Sequence, residues 1–207
     1  MWTSWCMYGI VIVAWLCATV LYARREQIKR IDFYLWIITG AVVVVHILFA
    51  VYLSWAQYHI WQQDPFSKQL LSQALSPHTG GEWFVKYLAD TFSIKSEYFL
   101  GYVFGRFWMN VFLGVGVAFI FYGALRALKK YKERFFDKGE VVLGLLGAMV
   151  VGWPWVLGYV ICALFFVVIL SLMRHVAYRE IYTTLGVPLI VSGYITLALY
   201  GLVANIF

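Results

Sequence analysis

The chain has 207 residues, of which 63% are hydrophobic and 13% are charged, and its formal net charge is +6. Soluble globular domains are roughly 25% charged, so this composition excludes an ordinary soluble domain. The positive charge does not indicate nucleic-acid binding, because the cations lie in short loops between apolar stretches and not in a basic, aromatic-studded fold. We therefore predict an all-α polytopic membrane protein, with a single membrane domain over residues 1–207.

Six apolar stretches predict about six transmembrane helices, since a spanning helix needs ~20 largely apolar residues. The stretches lie at about residues 5–22, 33–55, 101–125, 141–153, 155–173 and 183–206. The first stretch has no positive charge before it and no small-residue cleavage pattern after it. It is therefore expected to be a retained helix and not a signal peptide.

The fourth stretch is short, and the segment Gly-Trp-Pro-Trp at 152–155 separates it from the fifth. Proline ends helices and tryptophan favours the headgroup level, so this segment predicts a tight interfacial turn. The alternative is one broken helix through both stretches, although Met173 would then lie too far from Val141 for a single span. Gly144 and Gly147 in the fourth stretch are expected to allow close helix contacts.

The cations predict which side of the membrane each loop faces. Twelve of the sixteen Lys and Arg lie in three short loops, at 23–32, 126–140 and 174–182. Cytoplasmic loops carry an excess of Lys and Arg, so these three loops are expected in the cytoplasm. Both termini and the segment 56–100 are then expected outside, and anionic lipid is expected to attract the basic loops.

The long outer segment 56–100 predicts two amphipathic helices that lie in the outer membrane interface. Apolar residues recur at three- and four-residue steps over 57–75 and again over 82–98, and Pro77 and Gly80 separate the two runs. Such helices either cap the bundle or form a lid or partner-docking surface.

Three polar residues are expected at one depth inside the membrane. His46 lies in the second stretch, and Arg106 and Asn110 lie one turn apart in the third. Intramembrane ionisable residues are costly, so these three side chains are candidates for an outer polar cavity of a small-solute transporter. The alternative is that Arg106 extends to the interface and His46 bonds a neighbour.

Three carboxylates are expected at the cytoplasmic face, since Asp32 precedes the second stretch and Asp137 and Glu140 precede the fourth. Two of them held close together would form an aspartyl dyad, with one group ionised to activate water and the other protonated to polarise a peptide carbonyl. The alternative is structural, because carboxylates at helix starts are favoured by the helix dipole alone.

The sequence Lys-Gly-Glu-Val-Val-Leu at 138–143 resembles the second motif of the prepilin and preflagellin peptidases, which are six-helix membrane aspartyl proteases of the G-x-G-D type. The later Gly-Val-Pro-Leu at 186–189 is similar to their final helix, and Ile-Asp-Phe-Tyr-Leu-Trp at 31–36 is similar to the neighbourhood of their first motif. The resemblance implies a bacterial or archaeal cytoplasmic membrane, and a substrate helix cleaved at the cytoplasmic face by Asp32 with Glu140 or Asp137.

The chain departs from that pattern at the residues that matter most. Glu140 stands where the family has Asp, and Lys138 replaces the first Gly of the motif. Tyr22 and Ala23 stand where the family's first Asp follows its opening helix, while Asp32 comes ten residues late.

These departures predict a divergent member that lacks a competent dyad and acts as a membrane-embedded interaction or assembly component. An active intramembrane endopeptidase and a small-solute transporter, or its binding subunit, are the alternatives. The expected partners are the lipid bilayer, other membrane proteins or a substrate transmembrane helix, and no nucleic acid. The four histidines and three cysteines form no metal or redox motif, so no cofactor or metal is expected.

Overall fold

The structure is a computed structural model, and it describes residues 2–72, 86–87, 96–131, 136–178 and 184–206. Over these residues the chain is all-helical, with no strand. The helices in chain order are α1 (Trp2–Ala23), α2 (Ile31–Gln63), α3 (Pro65–Leu70), α4 (Glu97–Val103), a π-helical turn (Phe104–Trp108), α5 (Met109–Tyr131), α6 (Glu140–Val151), α7 (Val156–Tyr178) and α8 (Gly186–Ile206).

Five of the six predicted stretches each overlap one helix, and the third, 101–125, covers the end of α4, the π-helical turn and part of α5. Three helical segments are long and apolar enough to cross a membrane, namely Ile31–Gln63, Glu97–Tyr131 and Val156–Val176. Three shorter apolar helices accompany them, over Met7–Ala23, Glu140–Val151 and Gly186–Leu202. The described part of the chain is thus all-helical and contains helices long and apolar enough to span a membrane, as the composition predicts.

The turn predicted at 152–155 is present and separates α6 from α7. Gly152 has φ 69°, a left-handed value that favours glycine, and its amide bonds the Ala148 carbonyl at the end of α6. The peptide bond between Trp153 and Pro154 is cis. The two stretches are therefore two helices and not one.

The outer segment differs from the prediction where it begins. α2 continues without a break to Gln63, so the first residues of the predicted amphipathic run 57–75 belong to α2. The helix breaks at Asp64, whose side chain accepts a hydrogen bond from the Ser67 amide at 2.9 Å. Asp64 is thus the N-cap of α3, and Pro65 is the first residue of that helix. Most of the second predicted run, 82–98, lies outside the described residues.

The chain divides into two compact units. Unit 1 comprises residues 1–45 and 113–207, and unit 2 comprises residues 46–112. The boundaries fall within α2 and within α5. The prediction of one membrane domain stays a prediction.

In unit 1, α6 is the central element. All twelve of its residues are buried, and it contacts α1, α7 and α8. At 1.5 Å per residue it is about 18 Å long, which is shorter than the ~30 Å hydrocarbon core of a bilayer. Its neighbours approach closely at glycines, as predicted: a Cβ on Gly147 would meet Trp15 at 3.0 Å and overlap Tyr159, and one on Gly144 would overlap Leu125 of α5.

α1 and α8 pack antiparallel to each other, and aromatic side chains of α1 lie against glycines of α8. Tyr22, Trp15 and Tyr8 recur every seven residues along α1, and they lie against Gly186, Gly193 and Gly201 of α8, respectively. The Tyr8 hydroxyl also donates to the Leu197 carbonyl at 2.5 Å. This register brings the last turn of α1 to the first turn of α8.

Candidate functional site

The candidate site lies in unit 1, at the end of the helices where α1 stops and α2, α6 and α8 start. Gly139 precedes α6 with φ 86°, a left-handed conformation that glycine adopts without strain. A Cβ at Gly139 would meet Leu35 at 3.1 Å and Ile31 at 3.4 Å, so the first turn of α2 packs directly on this position. The loops that join these helices therefore come together.

Glu140 is the centre of the site and is 0% exposed. Its Oε1 accepts hydrogen bonds from the Tyr22 hydroxyl and from the Gly186 amide, both at 2.7 Å. Its Oε2 accepts the Asp137 amide at 2.9 Å and the Leu185 amide at 3.3 Å. One carboxylate thus joins the end of α1 and the start of α8 to the start of its own helix.

Two helix N-termini stabilise the negative charge of this carboxylate. Glu140 is the first residue of α6, and the amides of Leu185 and Gly186 lie at the start of α8. The free amides and the dipole at a helix N-terminus favour an anion there. Four donors on two oxygens also satisfy a buried charge that would otherwise be very costly.

A second carboxylate, Asp137, is paired at the edge of the site. Its Oδ2 accepts two hydrogen bonds from the Arg25 guanidinium, one from Nη2 at 3.0 Å and one from Nε at 3.3 Å. Both side chains are partly exposed. The Arg25 guanidinium also lies 4.7 Å from the centre of the Tyr22 ring, as in a cation–π contact. Burial alone would lower the pKa of Arg25, but the electrostatic attraction of Tyr22 and Asp137 has the larger effect. The pKa of Arg25 is therefore raised above its usual value.

The structure brings together two of the three predicted carboxylates. Asp137 and Glu140 share the site through the hydrogen bond from the Asp137 amide, and Asp32 lies exposed in the first turn of α2. An aspartyl dyad needs two carboxyl groups in contact with one water. The pairing of Asp32 with either of the others stays a prediction.

Sequence reasoning missed the partners of Glu140. Tyr22 and Gly186 lie 118 and 46 residues away from it in sequence. The signals that could have found them were present, since Tyr22 ends the first apolar stretch and Gly186 starts the last. Arg25 was assigned to a basic loop and not to an ion pair.

The three residues predicted to form an outer polar cavity lie in unit 2. The Asn110 amide donates to the Arg106 carbonyl at 3.0 Å, and the Arg106 guanidinium lies 5.7 Å from the centre of the Tyr102 ring. Arg106 and Asn110 are exposed, and His46 is half-buried. The π-helical turn Phe104–Trp108 contains Arg106. A cavity formed by these residues stays a prediction.

The hydrogen bonds of Glu140 to Tyr22, Asp137, Leu185 and Gly186 hold helix ends together, and we call this set of residues the clamp. Within the described ranges, no group of three or more His, Cys, Asp or Glu side chains is placed to hold a metal ion. The Glu140 oxygens are fully engaged by donors of the protein, which leaves the carboxylate no position for a water or a substrate. The arrangement therefore fixes helix ends to one another.

A comparison with known proteins finds no matching family model, no matching curated protein and no matching solved structure.

Proposed function

We propose that this protein is an integral membrane protein with six membrane-embedded helices that is related to the prepilin peptidases and has no peptidase activity. It acts as an interaction or assembly component in a bacterial or archaeal cytoplasmic membrane. The Glu140 cluster serves as a structural clamp at the cytoplasmic end of its helices.

The hydrogen bond between Tyr22 and Glu140 carries this proposal. The resemblance places the family's first Asp directly after the opening helix, where Tyr22 and Ala23 stand, and its second Asp at Glu140. These two side chains are 2.7 Å apart across 118 residues of sequence. The geometry of a dyad thus supports the relationship, while the phenol in place of a carboxyl supports the loss of activity.

The surroundings of Glu140 also support a non-catalytic role. A dyad needs one carboxyl to activate water and the other to hold a proton for the substrate. Glu140 is completely enclosed, and its two oxygens accept four protein donors. Asp137 is bound to Arg25.

A role in interactions is supported by the apolar surface of α7. Large apolar side chains stay exposed along its length, among them Ile161 at 68%, Phe165 at 61% and Val176 at 83%. In a membrane such a face lies against lipid tails or against helices of other membrane proteins. The proposed partners are therefore the lipid bilayer and other membrane proteins.

Carboxyl modification tests the proposal without knowledge of a substrate. The purified protein in detergent is treated with a water-soluble carbodiimide and glycine ethyl ester, and the modified residues are identified by mass spectrometry. We expect rapid modification of the exposed Asp32 and protection of the enclosed Glu140 in the folded protein. Both residues should react after denaturation.

Asp32 is the matched control in that experiment, because it too is a carboxylate in the first turn of a helix. A catalytic carboxyl must be reached by water. Modification of Glu140 in the folded protein at a rate close to that of Asp32 would therefore favour the active peptidase and contradict the clamp.

A further inference from the structure

A basic groove lies at the C-terminal end of α5, and the clamp does not use it. It is shallow and open to the surroundings, and its described lining belongs to this one helix: Gly123, Arg126, Ala127, Lys129 and Lys130. Three cations and two small residues thus line it.

The surrounding side chains place this groove at the level of lipid headgroups. Ile120 is 74% exposed, so this part of α5 presents an apolar surface outward, and Tyr131 at the end of the helix is 83% exposed. Arg126 lies six residues after Ile120, about 9 Å further along the helix. A helix that passes from exposed isoleucine through cations to tyrosine crosses from hydrocarbon into the interface.

Among the described residues the cations of the groove are unpaired, and the groove has space for a ligand. In the part of the chain that the structure describes, Arg126, Lys129 and Lys130 form no ion pair with a carboxylate. A Cβ added at Gly123 would meet no atom within 4 Å, so the groove is open at this residue. An anion with an apolar tail would therefore find charge at one end of the groove and an open helix surface at the other.

We propose that this groove binds the phosphate headgroup of an anionic phospholipid in the surrounding leaflet. The guanidinium of Arg126 is suited to bidentate contact with phosphate oxygens, and Lys129 and Lys130 add point charges. The acyl chains would lie on the apolar face of α5 beyond Gly123. This site is independent of the clamp at Glu140.

The first test is lipid binding to the purified protein in detergent. Native mass spectrometry follows the titration of phosphatidylglycerol or phosphatidylcholine. We expect tighter binding of phosphatidylglycerol, and about a fivefold weakening for Arg126→Gln or Lys130→Gln, since each cation near an anionic surface contributes about that factor. Lys68→Gln is the control, because Lys68 is an exposed cation on α3, outside the groove and outside the three basic loops.

The second test fills the groove without a change of charge. Gly123→Leu should block it and reduce phosphatidylglycerol binding. Gly116→Leu is the matched control, since Gly116 lies two turns earlier on α5, is equally open and does not line the groove. Equal effects of the two glycine variants, or equal binding of the two lipids, would overturn the proposal.

Competition with inorganic phosphate separates a lipid site from a site for free phosphate. We expect millimolar phosphate to leave bound phosphatidylglycerol in place, beyond the modest weakening that an equal ionic strength of chloride produces. Displacement by phosphate, but not by chloride, would assign the groove to a free anion and contradict the lipid.

Discussion

At the scale of single residues, the burial of Glu140 sets the energetics of the site. A buried charge is tolerated only where hydrogen bonds replace its water, and Glu140 receives four of them. A glutamine at this position has one acceptor oxygen and turns an NH₂ group toward donors. The side chain keeps its size, but two or more donors lose their acceptor.

We therefore expect Glu140→Gln to lower the free energy of unfolding by roughly 2–4 kcal/mol. Asp32→Asn is the control, and only the helix-dipole contribution of about 0.3–1 kcal/mol should be lost there. The measurement is unfolding in mixed micelles, followed by tryptophan fluorescence. Equal free energies of unfolding for the two variants would show that the hydrogen bonds of Glu140 do not stabilise the fold.

Asp64 lies outside the membrane-spanning segments, and its pKa leads to a prediction about the pH dependence of the α3 cap. Hydrogen bonds from the Ser67 hydroxyl at 2.6 Å and the Ser67 amide at 2.9 Å lower the pKa of this carboxyl below its usual value. Because the folded pKa is the lower one, the cap is fully present above the unfolded pKa and is lost as the pH falls through the folded pKa. Carboxyl-carbon NMR of the protein in micelles should show a low titration midpoint for Asp64.

Ser67→Ala tests the cause of that shift, because it removes the hydroxyl and keeps the amide. The Asp64 midpoint should then rise toward the usual range. An unchanged midpoint in the variant would show that the hydroxyl does not set the pKa.

The candidate residues of the site were only partly predictable from the sequence. Asp137 and Glu140 stood out as carboxylates at a helix start, a local pattern that a single sequence displays. The contact of Glu140 with Tyr22 and Gly186 depends on how three distant segments pack, and no local pattern encodes that packing. The glycines were the best available signal, since Gly186 permits the approach of the Tyr22 ring.

At the scale of the elements, the packing of α1 on α8 depends on glycines beneath aromatic rings. Trp15 is 0% exposed, and a Cβ at Gly193 would lie 2.5 Å from its Cζ2 and 2.6 Å from its Cε2. A buried indole ring has no room to give way. The two helices would have to move apart.

Gly193→Ala should therefore destabilise the protein by roughly 1–3 kcal/mol, the usual cost of overpacking. Gly158→Ala is the matched control, because Gly158 lies within α7 with no atom within 4 Å of an added Cβ, and alanine there should be neutral or stabilising. Both are compared by thermal unfolding in micelles. A Gly193→Ala variant as stable as the control would refute the close packing of α1 on α8.

The helices themselves were easier to predict than their buried faces. Long apolar stretches and the Gly-Trp-Pro-Trp turn identified α1, α6, α7 and α8 closely, while the third stretch, 101–125, ran from α4 through the π-helical turn into α5. Hydropathy does not distinguish a face toward lipid from a face toward protein, since both surroundings are apolar. The complete burial of α6 therefore required the structure. The end of α2 was missed because the amphipathic run after residue 56 simply continues the helix.

At the scale of the whole molecule, the proposed arrangement is a membrane protein in which the Glu140 end of unit 1 faces the cytoplasm. Within unit 1, the end of α1 and the starts of α2, α6 and α8 lie together, as expected if their loops share one side. Gly114 of α5 lies against Trp153 in the turn between α6 and α7, at the opposite end of α6. The placement of cations on the three loops predicts that this end faces the cytoplasm.

Cysteine accessibility in intact cells tests this arrangement most directly. Cys6, Cys17 and Cys162 are first replaced, and His78→Cys or Lys132→Cys then supplies a single thiol. A membrane-impermeant maleimide added from outside should label the thiol at position 78 and leave the thiol at 132 unmodified until the membrane is permeabilised. Labelling at 132 and protection at 78 would invert the topology and contradict a clamp at the cytoplasmic face.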